Sequence, residues 1–187
     1  MWDPREEVES VRLPNGLTVY SVYWPNRPWV SMGFMVHSGA YQDGFGLEGA
    51  AHFLEHMVSR NAMIPYPLIR EFFENDGGEV MLGSTGYLKT TYSFFVSLSG
   101  LEKALEIFSS ILLTSPIKNY IEEQRQVILG EFERRYPIKP ILDLAWRKNR
   151  NVFDGTYVER HVTPMGAPNS IRSIAKAGLQ EYYDNNC

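Results

Sequence analysis

The chain has 187 residues, 44% of them hydrophobic and 13% aromatic, which is enough apolar material for a sizeable core and suits one domain better than two. Its 18 basic and 22 acidic residues give a net charge of −4 and are spread along the sequence, so no basic patch recommends a nucleic-acid or anionic-membrane partner. Apolar runs are far too short to span a bilayer, the acidic first ten residues lack an apolar signal segment, and Cys187 is the single cysteine; the expectation is a soluble, cytoplasmic chain without a disulfide or a thiolate metal cluster.

Taken in chain order, residues 9–23 read as two strands around Pro14-Asn15-Gly16, because Asn-Gly between alternating apolar runs favours a tight hairpin. Residues 25–28 break that pattern, and 29–37 resume it with Val30, Met32, Phe34 and Val36 alternating, as a strand with one buried face requires. A glycine-rich loop at 38–46 leads to helical spacing over 47–59 and again over 68–75, the second helix stopping at Asp76-Gly77-Gly78. Strands follow at 79–84 and 88–98. Ser99 then caps a helix over 101–114, a long helix runs over 119–136, and the pattern restarts over 141–150 after two prolines. Residues 157–170 read as irregular and 171–185 as one short final helix. This order predicts an α+β fold, a mostly antiparallel sheet covered by helices on one face. No strand follows residue 98, so residues 1–187 are expected to form one domain that lacks its last strands, a fragment of something longer.

The chemistry is concentrated in His52-Phe53-Leu54-Glu55-His56, an H-x-x-E-H motif on the first helix. Residues i and i+4 stack on one helix face, so two imidazoles can grip one ion while Glu55 reaches the same side. Glu48, His52, Glu55 and His56 share that face, opposite Leu47, Ala50, Leu54 and Met57, which predicts a motif presented to a cleft, not buried. Chance placement on a solvated face is a poor explanation, since two of only four histidines stand at ligand spacing with an acid between them. Paired imidazoles suit zinc, and a catalytic zinc takes three protein ligands plus water.

No internal cysteine can supply the third ligand. On the 119–136 helix, Tyr120, Ile121, Val127, Ile128 and Phe132 span an apolar arc of roughly 140° at about 100° per residue, and Glu131 falls inside it. A carboxylate on an apolar face is costly unless it is paired or holds a metal. Glu131 is therefore the expected third ligand, and Glu122, Glu123 and Glu133 read as solvated. His37, His161 and the basic run at 147–150 read as structural or exposed, and Tyr92, Phe94 and Phe95 as parts of a half-buried strand.

Residues 49–57, Gly-Ala-Ala-His-Phe-Leu-Glu-His-Met, together with residues 124–131, Gln-Arg-Gln-Val-Ile-Leu-Gly-Glu, resemble the inverted-motif zinc peptidases, the insulinase, pitrilysin and mitochondrial processing peptidase family. The likeness extends to the early Leu-Pro-Asn-Gly-Leu hairpin, to Gly77-Gly78 and to the turn at 166–171. It implies the half-domain fold of that family, with Glu131 at the place of the third zinc ligand. Two departures stand out. Peptidases of the family usually carry glutamate seven residues before that ligand, where this chain has Gln124, which implies weaker support behind the zinc site. The substrate-side strand, normally Asn-Ala-x-Thr, here reads Leu82-Gly83-Ser84-Thr85, and leucine lacks asparagine's polar contact.

Together these readings imply a zinc endopeptidase in which His52, His56 and Glu131 hold Zn2+, Glu55 is the general base toward a zinc-activated water, and residues 82–85 bind an extended or unfolded peptide by edge pairing. A second homologous domain or subunit is the expected partner. The alternative is a non-catalytic scaffold subunit that binds peptides or a homologous chain, favoured by Gln124 and Leu82 and opposed by the intact metal and base set. S-ribosylhomocysteine lyases share the H-x-x-E-H motif, but their third ligand is a cysteine.

Overall fold

The computed structural model describes residues 8–60, 64–113, 117, 120–156, 159 and 163–186. His161 and most of the stretch at 157–162 lie outside them. The described elements run β1 (Val8–Arg12), β2 (Thr18–Val22), β3 (Trp29–Val36), α1 (Ala50–Arg60), α2 (Tyr66–Asn75), β4 (Glu79–Thr85), β5 (Thr90–Ser97), α3 (Leu101–Leu113), α4 (Ile121–Arg135), α5 (Lys139–Phe153), α6 (Pro168–Ser173) and α7 (Lys176–Asn186).

The fold is α+β with antiparallel sheets. The main sheet has the order β3-β5-β4, with Met32 opposite Phe94 and Phe34 opposite Tyr92. Alternation does the sorting expected of period two. Val30, Met32, Phe34 and Val36 join Tyr92, Phe94 and Val96 toward the helices, whereas Ser31, Gly33 and Phe95 face solvent. Phe94 anchors the inner face, in ring contact with Phe73 of α2 and Phe108 of α3 at centroid distances of 5.7 and 4.6 Å. The hairpin forms as expected, but β1 and β2 make a separate two-stranded sheet with β1 exposed throughout.

α1 is the central element, packed against β4, β5, α3, α4 and α7. Two devices fix its N-terminus. Asp43, fully buried, accepts the N–H groups of Gly49 and Ala51 at 2.7 and 2.9 Å, satisfying donors that a helix start leaves orphaned. Gly49 and Gly166, both at positive φ, bring their chains so close that a Cβ on Gly49 would strike the Met165 carbonyl and one on Gly166 the Glu48 carbonyl. The late turn is thereby pressed against the helix that carries the motif.

Two expectations are corrected. The final helix is two helices, α6 and α7, because Arg125 of α4 donates to the carbonyls of Ile171 and Ile174, which a continuous helix would need for itself. The cap before α3 is Ser97, not Ser99: its hydroxyl accepts the Gly100 N–H across an intervening 3-10 turn.

Candidate metal centre and its cleft

One turn of α1 separates His52 from His56, whose ring centroids lie 4.7 Å apart. Their Nε2 atoms stand 3.7 and 3.4 Å from Oε2 of Glu131 on α4, and the three donor atoms all lie within 4.8 Å of one another. Tetrahedral zinc with bonds of about 2.0–2.2 Å spaces its ligands roughly 3.3–3.6 Å apart, so the 3.7 and 3.4 Å nitrogen–oxygen separations suit a zinc site. The fit is chemical as well as geometric. Burial first, then the neighbouring His56 and the Arg135 guanidinium, push the His52 pKa down to about 3, so its ring stays neutral and can offer a lone pair. Burial likewise lowers His56, partly offset by Glu131 and by the hydrogen bond that its ring donates to the Gln124 side chain.

Gln124 is buried on α4 and its side chain bonds His56, in the supporting position expected of the family's glutamate. Nδ1 of His52, by contrast, meets no hydrogen-bond partner among the described residues. Glu55 faces the same space from α1. Burial lifts its carboxyl to about 7, restrained by Thr85, whose hydroxyl donates to Glu55 Oε2 at 2.5 Å, and raised further by the Glu131 charge.

β4 completes the wall. Its pairing with β5 slips between Met81 and Ser84, a bulge that brings Gly83 against Glu55. A Cβ on Gly83 would collide with the Glu55 Cγ, Cδ and Oε1, so glycine there is what lets the carboxyl sit beside the strand. Ser84 and Thr85 line the same cleft, and the Leu82 side chain lies outside the described residues. Of the four residues expected to meet substrate, Thr85 therefore has its hydroxyl engaged with Glu55. The cleft, of about 420 Å³, is closed by Arg135 and residues 163–165. A second lobe of about 480 Å³ opens beyond Glu55 and His56, between Tyr66, Arg60 and Val127.

Other expectations are refined. The motif lines a cleft as expected, but more deeply than a solvated face would be: His52 is 7% and Glu55 9% exposed. Glu48 precedes the helix. On α4 the buried stripe is Gln124, Ile128 and Phe132, while Tyr120 and Val127 are exposed; Glu131 sits at its margin with a third of its side chain open. Glu122, Glu123 and Glu133 are solvated as expected, and so are His37, Arg147 and Arg150. Asp43 and Arg135 escaped the sequence reading, since one lies in a loop without periodicity and the other looks like an ordinary helix-end cation.

A helix-borne histidine pair with a neighbouring acid, a distant glutamate and an edge strand beside them define a peptidase-type half-domain. The profile of the insulinase family, peptidase family M16, matches residues 18–136, and the chain belongs to that family. It is 29% identical over 182 residues to the mitochondrial-processing peptidase subunit beta of Saccharomyces cerevisiae, covering 94% of this chain and 37% of that protein. To an uncharacterized zinc protease of Rickettsia felis it is 32% identical over 186 residues, covering 97% and 44%. The crystal structure of a protease from Helicobacter pylori superposes with a TM-score of 0.83 at 25% identity, covering 96% of this chain and 43% of that one. The chain thus spans less than half the length of these relatives.

Proposed function

We propose that this chain is the catalytic half of a zinc-dependent endopeptidase acting on extended or unfolded peptides, completed by a second homologous domain or subunit. The observation that carries this reading is the meeting of His52, His56 and Glu131 within 4.8 Å, with Glu55 alongside on α1. Zinc-protease names among the relatives support the choice of metal. When bound, zinc supplies Lewis acidity, lowering the pKa of a water and polarising a peptide carbonyl.

The protein's own groups do the rest. The Thr85 hydroxyl holds the Glu55 carboxylate at Oε2, beside the three candidate ligands, where it would take up a proton from an attacking water and return it to the leaving amine. Gly83 keeps the acid close to the strand without displacing it. β4 pairs only with β5 among the described residues, so its other edge can take an extended peptide through backbone hydrogen bonds, which favours unfolded segments over a particular sequence.

The name of the yeast relative makes it a subunit, and the short span of this chain against its relatives supports a second half as partner. The scaffold reading keeps Leu82 on its side; Gln124, bonded to His56, no longer favours it. Peptide cleavage by the zinc-loaded chain, alone and with a homologous half supplied, and with Glu55→Gln as control, tests the proposal. Turnover abolished by Glu55→Gln supports it. Stoichiometric zinc with no turnover in either setting favours the scaffold.

A further inference from the structure

Arg135 is the last residue of α4, one turn beyond Glu131, and lines the cleft shared by His52, Glu55 and His56. At that spacing a glutamate and an arginine normally pair along the helix surface. Here Glu131 turns its carboxylate to the two histidines instead. Four other arginines meet acids: Arg60 meets Glu123, Arg70 meets Glu74, Arg125 meets Glu122 and Arg150 meets Glu159. Arg135 makes no ion pair and no hydrogen bond among the described residues, and it is the one Lys or Arg lining this cleft. Its charge is felt at His52. A cation at a helix C-terminus complements the helix dipole wherever it points, so what distinguishes Arg135 is its place beside the reacting centre.

We propose that Arg135 is a specificity determinant that selects peptides bearing Asp or Glu within about two residues of the scissile bond, where a strand rising roughly 3.3 Å per residue past the centre stays within reach of its guanidinium. This deepens, and rests on, the peptidase reading above. The planar fork can take a carboxylate with two parallel hydrogen bonds, which a peptide carbonyl cannot match in charge.

The test uses the 187-residue chain loaded with zinc and carrying Glu55→Gln, so that bound peptide is not turned over. Fluorescent extended peptides with Asp or Asn at each of four positions flanking the central bond are titrated by anisotropy. At one position Asp is expected to bind about fivefold tighter than Asn, less so as salt shortens the screening length. Arg135→Gln should abolish that preference at unchanged zinc content, and Arg135→Glu should replace it with a preference for Lys. A charge swap of this kind is not produced by a merely structural role. Equal binding of Asp and Asn peptides at every position, or a preference surviving Arg135→Gln, overturns the assignment while leaving the peptidase reading intact. If none of the peptides binds, the peptide-binding reading fails and this assignment falls with it.

Discussion

Glu55→Gln offers a test of the site's electrostatics that needs neither metal nor substrate. In the metal-free chain burial raises the Glu55 carboxyl from 4.5 to about 7. The folded state then binds a proton more tightly than the unfolded state between those values, so the contribution to stability is full below pH 4.5 and is lost as pH rises through about 7. A rise of that size corresponds to roughly 3 kcal/mol, of which roughly 2.5 kcal/mol disappears between pH 5 and pH 8. Glutamine keeps an acceptor for the Thr85 hydroxyl but cannot titrate. Urea unfolding of both metal-free proteins across that range should show the wild type losing stability relative to Glu55→Gln by about that amount as pH rises. Subtracting the profiles cancels the carboxyls that do not interact with Glu55. Parallel profiles would refute the claim that Glu55 is buried and poised near neutrality.

Three further outcomes follow from individual contacts. Gly83→Ala forces a methyl group into Glu55, and should lower kcat of the assembled enzyme by about tenfold or more while zinc content stays stoichiometric. Asp43→Ala strips two buried backbone donors at the start of α1, and should cost roughly 2–4 kcal/mol in urea unfolding and weaken zinc binding in parallel. Gln124→Leu, near in volume but unable to bond His56, should weaken zinc binding by about tenfold to a hundredfold in competition with a chelator, whereas Gln124→Glu should hold zinc at least as well as the wild type.

Much of this site is written in local pattern. The H-x-x-E-H spacing is a property of one helix turn; the helical wheel also pointed to Glu131, although the buried stripe of α4 is Gln124, Ile128 and Phe132, with Glu131 at its margin. β3 and β5 were legible from their period of two, since one face is buried and one is not. What escaped depends on contacts between distant segments. The burial of His52 and Glu55 comes from α1 packing against β4, β5, α3, α4 and α7, which no helical wheel of α1 contains. The break between α6 and α7 comes from Arg125, some fifty residues earlier, taking their carbonyls. Gly83 looks like a substitution in a strand motif until the bulge of β4 sets it against Glu55.

The account stands on three side chains from two helices closing on one ion. Zinc affinity of the chain, measured by competition with a chromophoric chelator for the wild type, His56→Ala and Glu131→Ala, addresses that directly. One zinc per chain, with affinity reduced by two orders of magnitude or more in each variant while the far-ultraviolet spectrum is unchanged, is the predicted result. Wild-type affinity in Glu131→Ala would contradict it.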